Sequence, residues 1–175
     1  MKNALDFTGK VVLVTGGGGG IGRGIAEAFD RCGAQVVVAE IDPVRADATR
    51  SALGKTSRVA VTDVRDSAAV DALLHEVASS YGRLDVLVNN VGDFLGIVKP
   101  LEEYADADFD ALFAVNLRQV FQVTRSSLPL MKQTGSGGSV ISVSSIEAFR
   151  GIPMNVVYSA FKAGITGFTK SLALE

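Results

Sequence analysis

The sequence predicts an α/β protein built on a doubly wound parallel sheet with strand order 3-2-1-4-5. Two observations carry this expectation. Short β-branched runs alternate with longer stretches of helical period, the pattern of a parallel sheet covered on both faces. A run of glycines also follows the first β-branched run directly and opens the first helical stretch. Right-handed crossovers between successive strands then leave a switch point between the first and fourth strands. Ligands of such sheets bind there, outside the carboxyl ends of the strands.

Taken in order, strands are expected near Lys10–Thr15, Gln35–Glu40, Arg58–Val61, Leu84–Asn89 and Ser139–Val143. Helices are expected near Gly20–Cys32, Pro43–Leu53, Ser67–Tyr81 and Asp106–Gln133, with a last one from Val157 onward. Gly33 closes the first helix because glycine takes the left-handed cap at least cost. Pro43 suits the first turn of the second, where a missing N–H loses nothing. Gly135-Ser136-Gly137-Gly138 is the clearest loop, and neither a linker nor a repeat interrupts the pattern. Residues 1–175 therefore form one expected domain, long enough to bury a core.

Composition narrows the function classes. Hydrophobic residues make up 47% and charged residues 21%, ordinary for a soluble globular protein. A net charge of -2, with both signs mixed along the chain, offers no footprint for nucleic acid or an anionic membrane. Cys32 is the only cysteine, which excludes an internal disulfide and fits a reducing compartment. The start MKNALDFTGK carries Asp6 and no signal-peptide stretch, and apolar runs such as Val36-Val37-Val38-Ala39 are strand-sized. The expectation is a cytoplasmic protein with no membrane partner and no metal site. His75 is read as a solvated helix residue.

Thr15-Gly16-Gly17-Gly18-Gly19-Gly20-Ile21-Gly22 has the bare backbone that a pyrophosphate needs to reach a helix N-terminus. A P-loop would require Gly-Lys-Ser/Thr at its end, where Ile21-Gly22-Arg23 stands instead. Glu40 ends the second strand, where an acid can accept bonds from an adenosine ribose and repel a 2′-phosphate; Asp42 could share or replace that role. Gly19 is not basic, so no obvious cation awaits a 2′-phosphate, and NAD is favoured over NADP. Asp63, within Thr62-Asp63-Val64 at the end of the third strand, is placed for the adenine amino group or for a local cap. Asn89-Asn90-Val91-Gly92 ends the fourth strand at the switch point, with Asn90 read as near the cofactor and Asn89 as a bracing amide.

Phe109, Leu112, Phe113, Val120 and Val123 form an apolar stripe on the long helix, and Asn116 falls on it. A buried amide needs hydrogen-bond partners, either for local packing or as a polar member of a proton path. Tyr158 and Lys162, four apart, share one face of the last helix. An ammonium beside a phenol favours the phenolate, which would make Tyr158 a workable acid or base. Ser145, just past the fifth strand, can donate to a substrate oxygen.

With these residues in hand, the sequence resembles the short-chain dehydrogenase/reductase family of tyrosine-dependent oxidoreductases, which has a Rossmann fold. Thr15-Gly-x-x-x-Gly20-x-Gly22 is similar to its cofactor motif, and Asn89-Asn90-Val91-Gly92 to its Asn-Asn-Ala-Gly motif, with Val91 in place of alanine. Tyr158-x-x-x-Lys162 matches its catalytic motif, and Ser145 lies thirteen residues before the tyrosine, as the family's serine does. The resemblance implies hydride transfer between NAD(H) and a secondary alcohol or carbonyl substrate. Tyr158 would act as acid/base, Ser145 would polarise the carbonyl, Lys162 would hold the nicotinamide ribose and Asn116 would hold a relay water. The cofactor would be bound by Gly16, Gly20, Ile21, Gly22, Glu40, Asp63, Val64, Asn90 and Gly92 together with Tyr158 and Lys162. It also implies a homodimer or homotetramer.

The sequence stops at Leu172-Ala173-Leu174-Glu175, where family members continue, so the last strands are expected to be absent. The fifth strand would then be a bare edge, and residues 1–175 alone are expected to be marginally stable, prone to association and without turnover. The competing expectation is a truncated nucleotide-binding fragment. Glu147, Met154 and Val157 are either part of a substrate wall or ordinary loop positions.

Overall fold

A computed structural model describes residues 5–135 and 137–175. Residues 1–4 of the start MKNALDFTGK and Ser136 of the expected glycine loop lie outside the described residues. Five parallel strands form one sheet in the order β3-β2-β1-β4-β5: β1 Val11–Thr15, β2 Gln35–Glu40, β3 Arg58–Val61, β4 Val86–Asn89 and β5 Ser139–Ser142. Leu13 sits between Val37 and Leu87 across the three central strands. The helices are α1 Gly20–Arg31, α2 Pro43–Ala52, α3 Ser67–Tyr81, α4 Asp106–Phe113, α5 Gln119–Lys132 and α6 Val156–Leu172.

The β-branched runs are buried on both faces because helices cover both. Val11, Leu13, Val37 and Leu87 meet Val70, Leu73, Leu74 and Val77 of α3 and Val123 and Met131 of α5. Val12, Val14, Val36, Val38, Val86 and Val88 point the other way, against Ala26 of α1 and Ala46 of α2. The chain leaving β1 therefore crosses one face and the chain leaving β4 the other, which opens a crevice between their carboxyl ends. That is the expected switch point.

Most element ends fall within one residue of expectation, and two larger differences have physical reasons. Leu84 and Asp85 precede β4 because the buried Asp85 carboxylate accepts from the Val11 N–H at 2.9 Å, Lys10 Nζ at 3.0 Å and the Arg83 guanidinium. It ties the entry of β4 to that of β1. The long helix is not continuous: a π turn, Ala114–Arg118, separates α4 from α5. Phe109 of the proposed stripe is 48% exposed, stacking on Phe113 and meeting the buried Phe161 edge-on, whereas Leu112, Val120 and Val123 are buried as expected. Among the described strands β5 is an edge, with Ile141 45% exposed.

Candidate active site at the switch point

The glycine run makes a tight turn from β1 into α1. Gly16 and Gly20 take positive φ of 64° and 49°, conformations that side chains rarely adopt. A Cβ on Gly22 would collide with the carbonyl oxygen of Gly16, so the third position is glycine for close loop–helix packing. Gly19 is the N-cap of α1, with no side-chain cap and no acid in the first turn. The unpaired N–H groups of that turn face outward with the positive end of the helix dipole, which suits an anion. Around a cavity of about 370 Å³ stand Gly16, Gly19, Gly20, Glu40, Asp63, Val64, Asn90 and Gly92. Ile21 is 69% exposed at the helix start and does not line it.

Glu40 reaches the cavity but is committed to the protein. It is 3% exposed, and its carboxylate accepts from the Gly18 N–H at 2.9 Å, the Asp42 N–H at 3.0 Å and Arg45 Nη2 at 2.8 Å. A Cβ on Gly18 would strike the same carboxylate, so Glu40 braces the glycine loop from below. Asp42 caps α2 by accepting from the Val44 and Arg45 N–H groups. Arg45 lines the cavity near Gly19, so the local cation absent at position 19 is supplied from α2, where Glu40 and Asp42 neutralise it. Arg65 forks onto the Asp63 carboxylate, and those hydrogen bonds hold its pKa below the usual range. Val64 is buried in the cavity wall.

Asn90 Nδ2 donates to the carbonyls of Thr15 at 3.0 Å and Gly16 at 3.2 Å, pinning the β4 exit to the glycine loop. Asn89 is the bracing amide expected: its Nδ2 donates to Thr124 Oγ1 at 2.9 Å. Asn116 sits inside the π turn, fully buried. Its Nδ2 donates to the carbonyls of Asp93 at 2.7 Å and Leu112 at 3.0 Å, and its Oδ1 accepts from the Asp93 N–H at 3.1 Å. Both amide hydrogens are thus spent on the backbone, leaving only a lone pair of Oδ1 for a water. Gln119, one turn on, donates to the Val91 carbonyl at 3.0 Å, so two amides clamp the loop 91–93.

Lys162 is 2% exposed and its Nζ donates to the Val143 carbonyl at 3.2 Å. Burial lowers its pKa. Nζ stands 5.6 Å from the centroid of the half-buried Tyr158 ring. The expectation that the ammonium holds the phenol down is not met in this arrangement. Burial pushes the Tyr158 pKa up, a hydrogen bond with Ser145 pulls it down, and the Glu147 and Asp93 charges push it up again. Ser145 accepts the Glu147 N–H at 3.2 Å, which leaves its own hydrogen to be donated toward Tyr158. Ser144, its neighbour, instead donates to the Lys162 carbonyl at 2.8 Å.

Gly92 joins the two halves of the site. It lines the cavity, and a Cβ there would fall inside contact distance of Lys162 Nζ and 3.1 Å from Asn116 Oδ1. Of the open wall positions, Val157 belongs to the core with Leu112 and Phe161, Met154 is 48% exposed, and Glu147 is hydrogen-bonded within the site. Sequence reasoning missed Arg45, Gln119 and the π turn. Arg45 lies five residues past Glu40 and Gln119 three past Asn116, but only the observed path of the backbone turns them inward.

The profile of the short chain dehydrogenase family matches residues 10–175. Levodione reductase of Leifsonia aquatica is 35% identical over 174 residues, covering 97% of this chain and 64% of its own length. L-fucose dehydrogenase of Bos taurus is 39% identical, covering 100% of this chain and 63% of its own. The solved structure of a 7α-hydroxysteroid dehydrogenase with NADH and a 7-oxo bile acid superposes with a TM-score of 0.91 at 28% identity, covering 99% of this chain and 69% of that one. The chain thus spans roughly two thirds of the length of the relatives it matches. A family profile along almost the whole chain, the 3-2-1-4-5 sheet and relatives above 30% identity agree: this chain belongs to the short-chain dehydrogenase family.

Proposed function

We propose that this chain forms the cofactor-binding and catalytic part of an NAD-dependent secondary-alcohol dehydrogenase or carbonyl reductase. The observation that carries the proposal is the place of Gly92, where the anion-binding cavity meets the Lys162–Tyr158–Ser145 cluster. A dinucleotide fits the residues present: the uncapped N-terminus of α1 suits its pyrophosphate, and the cradle over Gly16, Gly19 and Gly20 admits a backbone-close ligand. When bound, nicotinamide accepts or supplies the hydride.

The chain's own groups handle the proton. In reduction, Ser145 donates a hydrogen bond to the substrate carbonyl oxygen, and Tyr158 gives that oxygen its proton. In oxidation Tyr158 takes the proton back. The raised phenol pKa suits donation, the Ser145 hydrogen bond favours the phenolate left behind, and Lys162 would hold the nicotinamide ribose. Asn116 and Gln119 hold the loop 91–93 in register with this cluster. Asn116 would keep one Oδ1 lone pair for a relay water.

NAD is proposed over NADP because Arg45 is already neutralised by Glu40 and Asp42, and Glu40 brings a carboxylate to the cavity edge. A homodimer or homotetramer is proposed as well, with support from Phe121, 47% exposed on α5. The test is fluorescence titration with NADH and NADPH, followed by oxidation assays over a panel of secondary alcohols. Tighter NADH binding with NAD-linked turnover is expected. NADH binding without turnover in the longest natural form of the protein would favour a nucleotide-binding role.

A further inference from the structure

The turn that carries Ser145 and the first turn of the helix that carries Tyr158 are joined by the side chain of Glu147, outside the family's motifs. Glu147 lies in a 3-10 turn, Ile146–Ala148, directly after Ser145. Its backbone N–H donates to Ser145 Oγ at 3.2 Å. Its carboxylate turns the other way, toward the start of α6. There it accepts from Asn155 Nδ2 at 2.9 and 3.2 Å and from Ser159 Oγ at 2.9 Å. Asn155 is the N-cap of α6 and 6% exposed, yet it makes no side-chain cap to its own helix. An asparagine at that position ordinarily bonds the first-turn N–H groups. Here its amide is spent on Glu147 instead, and the carboxylate stands at the helix N-terminus, where a negative charge is favourable.

We propose that Glu147 is a positioning residue for the Ser145–Tyr158 pair, stapling the serine turn to the first turn of α6. The proposal rests on the dehydrogenase reading only in assigning Ser145 and Tyr158 their roles. The staple itself is a matter of geometry. Ser159 follows Tyr158 directly, so the bond from its hydroxyl to Glu147 fixes the turn of α6 from which the phenol projects. The N–H bond to Ser145 Oγ holds the serine oxygen from the opposite side. The charge of Glu147 also acts on the phenol, as does that of Asp93 on the loop after β4, while Lys162 Nζ on α6 stands 5.6 Å from the ring centroid. Of these, Glu147 and Asp93 oppose ionisation of Tyr158.

The test uses Glu147→Gln, which keeps the shape and removes the charge, and Glu147→Ala, which removes the staple. The Tyr158 ring carbon is followed by NMR across a pH titration of protein labelled at tyrosine, its signal assigned with Tyr158→Phe. Glu147→Gln is expected to move the Tyr158 titration to lower pH, since the phenolate loses a neighbouring negative charge. Glu147→Ala is expected to lower kcat about tenfold or more, as misplacement of a reacting group does, with NADH affinity unchanged. An unmoved titration in Glu147→Gln, or wild-type kcat in Glu147→Ala, would overturn the proposal. A shifted titration in a protein that binds no NADH would overturn the dehydrogenase reading and leave the staple standing.

Discussion

Glu40→Ser separates bracing of the glycine loop from recognition of the ribose. In the wild type the buried carboxylate accepts from two backbone N–H groups and from Arg45 at 2.8–3.0 Å. Serine is too short to reach these partners. Hydrogen bonds to a charged acceptor contribute about 1.5–3 kcal/mol each, and water entering beside the half-exposed Arg45 recovers part of that, leaving a net loss of about 3 kcal/mol. For a domain of this size about 1 kcal/mol moves the melting temperature by roughly 2–4 °C, so a drop of about 6–12 °C is expected. The same change frees Arg45 from its main partner, close to Gly19 at the cavity wall. NADPH affinity should therefore rise relative to NADH. Thermal melting and paired fluorescence titrations read both effects on one sample. A variant that melts like the wild type would refute the bracing role, and an unchanged NADH/NADPH ratio would refute the assignment of Arg45 to the 2′ side.

Other predictions rest on separate parts of the structure. Gly22→Ala pushes a methyl onto the Gly16 carbonyl, a backbone atom that cannot swing away, and should abolish nucleotide binding in a titration with NADH. Gly92→Ala instead meets the flexible end of Lys162, so the fold should survive while NADH affinity falls about tenfold, the effect of a misplaced binding group. At Asp85, burial raises the carboxyl, but Arg83, the Val11 N–H and Lys10 outweigh it and leave a pKa of about 2 against an ordinary 3.8. Its folded pKa is depressed, so its stabilisation is present above pH 3.8 and is lost as pH falls through about 2. The shift corresponds to about 2–3 kcal/mol at most, less what solvent screening removes through the half-exposed Lys10 and Arg83. Asp85→Asn should therefore melt lower at pH 7, with the gap to wild type closing near pH 2. A constant gap across that range would exclude the carboxylate as its source.

Periodicity made the sheet legible because the strands of a parallel sheet are buried on both faces and read as unbroken β-branched runs. β2 and β3 begin and end where expected, and the 3-2-1-4-5 order follows from crossover handedness. The π turn was not legible. Ala114–Arg118 has the composition of ordinary helix, and the extra residue per turn shows only in where Asn116 and Gln119 point. Asn116 stood out as a polar residue on an apolar stripe, but its partner, the backbone of Asp93, lies 23 residues away in sequence. Glu40 was legible as the acid closing β2. That its carboxylate turns under the glycine loop depends on Gly18 having no side chain, which a one-dimensional pattern does not convey. The Tyr158–Lys162 spacing placed both groups on one helix face. It did not reveal that Lys162 is held by the Val143 carbonyl or that burial governs the phenol.

The most direct test of the proposed chemistry is Tyr158→Phe in the longest natural form of the protein, with NAD-linked turnover and NADH affinity measured together. Phenylalanine keeps the ring that packs edge-on against Phe94 and removes only the hydroxyl. Loss of a positioned acid/base lowers rates by about 100-fold or more, so turnover should fall by that much while NADH binds as in the wild type. Turnover within a few-fold of wild type would remove Tyr158 from the proton path and contradict the account.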